Sequence, residues 1–146
     1  MEISYTARQH LRQVMQNIEK ADEIIDALDL FLDRFTVIKG NFSSNEWTTI
    51  SEYEPADGAT TMVTFSVIGR ENALNQAGFK RTAVFYRQNN VVSAIDVQQT
   101  DFTNRSNGGF NARLFPEGDV IKLQVKGANN NLTQWQGSIQ IEKLGE

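Results

Sequence analysis

Apolar residues recur at alternating intervals of three and four near the start of the chain. The spacing matches the a and d positions of four heptad repeats. The seam consists of Leu11, Val14, Ile18, Ala21, Ile25, Leu28, Leu32 and Phe35. Because a stripe with a period of about 3.5 residues supercoils against a similar helix, the pattern predicts a long N-terminal helix that forms a coiled coil.

The width of the apolar face bears on how many copies would assemble. Met15, Ile24 and Phe31 lie beside the seam and widen it, which favours a homotrimer, although isoleucine at a with leucine at d also permits a dimer. The alternative is that the helix folds back on its own domain, because such stripes commonly form a core face. The helix is predicted to end at Lys39-Gly40, a cation followed by a glycine. The chain then divides into an oligomerising helix, 1–40, and a head domain, 41–146.

The periodicity changes after Gly40. From Trp47 onward apolar and polar residues alternate, as strands with one buried face require. Asn89-Asn90 is predicted to form a tight hairpin, since asparagine tolerates left-handed backbone. The head is expected to be an antiparallel β-sandwich or jelly roll, so the fold class of the whole chain is predicted to be α+β.

Composition argues against several classes of partner. The formal net charge is −4, so no basic field is available for nucleic acid. Cysteine is absent, which excludes disulfides and thiolate metal sites. No apolar run reaches about 18 residues, and the N-terminus lacks a signal-peptide pattern, so no membrane partner is expected. No motif indicates a metal or another cofactor.

Catalytic residues are sparse. His10 is the only histidine in the chain, which leaves a histidine-based triad or metal site without partners. Glu52 and Glu54 lie two apart on a predicted strand, about 6 to 7 Å from each other, which is loosely compatible with a glycosidase pair. Nothing around them indicates a cleft, so we expect the protein not to be an enzyme.

The most characteristic pattern lies near the C-terminus. A strand running into Val-x-Gly is followed by a short polar loop and by Thr-x-Trp-x-Gly-x-Ile. The residues are Val125, Gly127, Thr133, Trp135, Gly137 and Ile139. Together with the strands that precede it, from Met62 onward, this segment resembles β-sandwich modules in structural and fibre proteins of tailed bacteriophages, and the resemblance covers residues 62–144. The resemblance implies a non-enzymatic virion component, assembled in the host cytoplasm and bound to other virion proteins. Independently of any family, Trp135 is predicted to be a core residue whose indole lies over Gly137.

Two polar segments, 70–77 and 101–109, are expected to be exposed loops. If the head contacts a host surface glycan, Phe102, Arg105 and Phe110 are the predicted contact residues. Two hypotheses about the function therefore remain. The chain is either a structural part of a fibre, tail or head, or a carbohydrate-binding or receptor-binding module acting through these loops.

Overall fold

The computed structural model describes residues 35–145 together with His10 and Gln13, and residues 35–145 belong to one compact unit. Residues 35–145 contain strands and no helix. The strands are β1 (Phe35–Phe42), β2 (Thr48–Tyr53), β3 (Thr60–Arg70), β4 (Gln76–Gln88), β5 (Val91–Ala94), β6 (Gln99–Arg105), β7 (Asn111–Glu117), β8 (Val120–Lys126) and β9 (Thr133–Leu144). No helix in the part of the chain that is described is long and apolar enough to cross a membrane.

The strands form two antiparallel sheets. The large sheet has the order β1-β9-β3-β4-β5, and β6 also pairs with β4. The small sheet has the order β2-β8-β7. Alternate residues of both sheets form one apolar core, which makes the unit a β-sandwich.

The predicted α+β class is wrong: residues 35–145 are all β. The helix predicted to end at Lys39-Gly40 is replaced there by β1, which pairs with β9 along its whole length. Thr36, Val37 and Ile38 are consecutive β-branched residues, which favour a strand, and β9 supplies the pairing partner. The heptad spacing therefore fails at its last position, Phe35. The other seam residues, Leu11 to Leu32, and the predicted oligomerisation through them, lie outside the described residues.

The buried residues confirm the alternation of apolar and polar residues that was predicted from Trp47 onward. Val63, Phe65 and Val67 of β3 are buried. Trp135 is 1% exposed, so its prediction as a core residue is confirmed. Its indole, however, lies over Gly69 of the paired strand, not over Gly137.

One predicted turn is present in the structure, and one predicted loop is partly a strand. Asn89 and Asn90 have φ angles of 54° and 61° and close the β4-β5 hairpin, as predicted. Residues 101–105, predicted to be part of a loop, belong instead to the strand β6. Every residue of β6 is exposed, so the strand lacks the apolar alternation that would have indicated it.

Candidate functional site

A groove of about 590 Å³ lies on the outer face of the large sheet. Residues of β3, β4, β6 and β9 line it, beside the turn that joins β3 to β4. The lining residues are Ile68, Gly69, Arg70, Gln76, Ala77, Gly78, Phe102, Asn104, Gln134 and Gln136.

Strand register creates the floor of the groove. Ile68 is paired with Gln136 on one side and with Gly78 on the other, and Gly78 is paired with Asn104. These residues therefore form one row across the sheet. Because Gly78 has no side chain, the row is lowest at its centre. A Cβ added there would lie 3.5 Å from Cε1 of Phe102 and 3.6 Å from Cγ2 of Ile68, so these two side chains flank the gap.

The walls combine apolar surface with unpaired polar groups. Phe102 is 51% exposed and Ile68 is 65% exposed. In the part of the chain described, the side chains of Arg70, Asn104, Gln134 and Gln136 make no hydrogen bond. An amide offers both donors and an acceptor, and an exposed ring offers a flat apolar face. This combination suits a ligand with many hydroxyl groups and an apolar ring face.

Arg81 holds β6, and with it Phe102, in place. This arginine is 2% exposed and points into the sandwich. Its Nη1 donates to the carbonyl oxygens of Phe102 at 2.7 Å and Lys80 at 3.1 Å, and its Nε donates to that of Ala112 at 3.0 Å. Its Nη2 donates to Oδ1 of Asn111 at 3.3 Å. The β4-β6 register shifts between Lys80 and Thr82, so the guanidinium supplies a donor where the ladder is irregular.

Desolvation is the main cause that lowers the pKa of Arg81 from its ordinary value. Its hydrogen-bond acceptors in the described part of the chain are carbonyl and amide oxygens, with no carboxylate among them. Several hydrogen bonds therefore compensate for its burial. The side chain connects β4 with both β6 and β7, which gives the groove wall a rigid support.

The two polar segments predicted to be loops meet at one end of the sandwich. The backbone N–H of Ser106 donates to the carbonyl oxygen of Gln76 at 3.0 Å, and the N–H of Gln76 donates to Oγ of Ser106 at 2.9 Å. Glu71 accepts hydrogen bonds from the side-chain amides of Asn129 and Asn131. The groove therefore opens next to a set of interlinked loops.

The three residues predicted to contact a glycan have three different roles in the structure. Phe102 lines the groove. Arg105 donates from Nη1 to the carbonyl oxygen of Phe110 at 2.7 Å and so braces the β6-β7 loop. Phe110 is fully buried, with its ring centroid 6.2 Å from that of Trp135 in an edge-on arrangement. Phe110 therefore contributes to packing in the core.

The two glutamates considered for catalysis are not part of the groove lining. Glu52 is an exposed residue of β2. Glu54 accepts a hydrogen bond from Nη1 of Arg87 at 3.1 Å. The histidine, His10, is exposed. Among the residues that the structure describes, no group of three or more histidine, cysteine, aspartate or glutamate side chains could hold a metal ion.

Sequence reasoning missed most of the groove. Gln134 and Gln136 alternate with the core residue Trp135, which marks them as outward-facing residues of a strand. Arg70 and Gln76 belong to the segment 70–77 that was predicted to be an exposed loop, but Arg70 ends β3 and Gln76 begins β4, so the turn is shorter than predicted. No signal in the sequence aligns these positions across strands, because the alignment depends on long-range register.

No protein-family model matches the chain, and comparison with the curated proteins finds no match. Among solved structures, the fold is similar to part of the crystal structure of the tailspike protein of Acinetobacter baumannii phage AM24. The TM-score is 0.52 and the sequence identity is 10%.

The aligned region covers 76% of this chain and 26% of the tailspike chain. The match thus spans about a quarter of that protein's length. At this identity the likeness concerns the fold, and it shows a β architecture like that found in a phage protein.

Proposed function

We propose that this chain is a non-enzymatic component of a phage particle and that its groove binds a glycan on the host surface. The observation that carries the proposal is the groove itself, where unpaired amide and guanidinium groups surround Phe102 above the gap at Gly78. The tailspike-like fold supports a place in the tail or a fibre.

Binding without hydrolysis is proposed because the groove is lined by apolar, amide and guanidinium groups. Its lining contains no carboxylate among the described residues, whereas glycoside hydrolysis commonly uses a pair of them. We also propose that the chain acts as a homo-oligomer, with a trimer preferred, and contacts other virion proteins. Several copies would place several grooves on one particle, so weak individual binding would become useful through avidity.

Filling the groove tests the proposal. The backbone of Gly78 does not have a positive φ, and an added Cβ would make ordinary contacts. Gly78→Val should therefore fold, because the Cβ has room and the exposed side chains of Phe102 and Ile68 can turn away from the two added methyl groups. Its methyl groups would occupy the floor, so we expect binding to weaken at least about tenfold. An array of bacterial surface oligosaccharides identifies a ligand, and calorimetry then measures its affinity for each variant.

Met62→Ala is the matched control. Met62 is an exposed apolar residue on the same face of β3, about 20 Å along the strand from Ile68. Its replacement should leave glycan affinity unchanged. The proposal fails if Gly78→Val binds the oligosaccharide as tightly as the wild type. An array without any specific signal would favour the purely structural role.

A further inference from the structure

The outer face of the small sheet holds an arginine between two aromatic rings. Cζ of Arg113 lies 4.3 Å from the ring centroid of Trp47 and 4.3 Å from that of Phe115. We call these residues the arginine stack. The faces of both rings carry a partial negative charge that attracts the guanidinium. The two contacts together restrict the orientation of the guanidinium.

Hydrogen bonds further orient the arginine stack. Nε of Arg113 donates to Oε1 of Gln124 at 2.7 Å, and Nε2 of Gln124 donates to Oγ1 of Thr49 at 3.1 Å. The terminal nitrogens of Arg113 have no acceptor within the described part of the chain. Their N–H groups form the planar fork that binds a carboxylate in bidentate fashion.

The charges around the arginine stack are only partly compensated. Nζ of Lys122 pairs with Oε1 of Glu117 at 3.2 Å. Lys126 lies with Nζ 5.8 Å from the ring centroid of Trp47, and neither it nor Arg113 has an ion-pair partner among the described residues. Glu52 is exposed on β2 opposite Lys122 in the ladder, so the positive charges left without a partner among the described residues here are those of Arg113 and Lys126. The complementary ligand is an anion.

We infer that the arginine stack and Lys126 bind the carboxylate groups of an acidic polysaccharide. A uronic acid carries its carboxylate directly on the sugar ring. With that carboxylate at the fork of Arg113, the ring can lie against the neighbouring aromatic surface of Trp47. An acidic peptide carries its carboxylates on flexible side chains and lacks this rigid link between charge and ring. The site belongs to the small sheet and is independent of the groove on the large sheet.

The test uses an oligogalacturonate and its methyl ester, which share one backbone but differ in charge. At low ionic strength the full chain should bind the acid and not the ester, and added salt should weaken the binding. Arg113→Gln and Lys126→Gln should each weaken binding about tenfold, because each removes charged contacts. Lys80→Gln is the control that retains affinity, since it makes the same change of charge at an exposed residue of β4 in the large sheet, away from the arginine stack.

Two further measurements distinguish a loss of binding from a loss of fold and from an effect of the groove. Thermal unfolding identifies any loss of fold in Arg113→Gln, and the surface variant Lys126→Gln carries the test if that occurs. Gly78→Val should bind the oligogalacturonate normally, which separates this site from the groove. The inference is overturned if the ester binds as well as the acid, if Gly78→Val removes binding, or if polyglutamate binds equally well through the same residues.

Discussion

Replacing Phe110 with alanine is expected to lower the free energy of unfolding by about 3–5 kcal/mol. The side chain is fully buried and packs edge-on against Trp135. Its removal leaves a cavity between the two sheets, because the surrounding strands are fixed by their ladders. Urea unfolding of the wild type and the variant measures the difference.

Phe102→Ala is the matched control, since it makes the same chemical change on a ring that is 51% exposed. It should cost less than about 1 kcal/mol of stability. Its effect on glycan binding should be large, because Phe102 is the exposed ring of the groove. Equal losses of stability in the two variants would contradict the assignment of Phe110 to the core and of Phe102 to the surface. Unchanged glycan binding by Phe102→Ala would contradict the assignment of Phe102 to the groove site.

Gly69→Ala is expected to lower the free energy of unfolding by about 2–3 kcal/mol. A Cβ at this position would lie 2.5 Å from Cζ3 of Trp135 and 2.6 Å from its Cε3. The indole is rigid and cannot retreat, because Phe79 and Phe110 pack against it. The overlap outweighs the entropic gain of replacing glycine, which is about 0.5–1 kcal/mol.

The neighbouring position provides the comparison. Gly78→Ala adds the same methyl group where it would make ordinary contacts, so stability should stay constant or rise slightly. Combining Gly69→Ala with Trp135→Phe should cost less than the sum of the single changes, because the smaller ring relieves the overlap. Strict additivity in this double-mutant cycle would show that the indole is not what constrains Gly69.

Part of the fold could be predicted from the sequence because it depends on local alternation. β3 and β9 alternate buried and outward residues, and this pattern indicates both strands. The same reasoning misses β1, because Phe35 continues the spacing of the preceding heptads and masks the β-branched residues that follow. β6 has no buried face at all, so no periodicity could reveal it.

The position of the candidate site depends on the register between strands, which the sequence does not indicate. Ile68, Gly78, Asn104 and Gln136 are distant along the chain and meet only through the register of successive strand pairs. Phe102 was predicted as a contact residue from its place in a polar segment, and it does line the groove. Phe110 stands in the same kind of segment, and only the packing of the two sheets distinguishes it from Phe102.

The most direct measurement is an NMR titration of the isotopically labelled chain with the oligosaccharide that the array identifies. We expect shifts at the backbone amides of Gly78 and Asn104 and at the side-chain amides of Asn104, Gln134 and Gln136. Residues of the small sheet should be unaffected by a neutral glycan. Shifts confined to other surfaces, with these amides unchanged, would contradict the assignment of the groove as the glycan site.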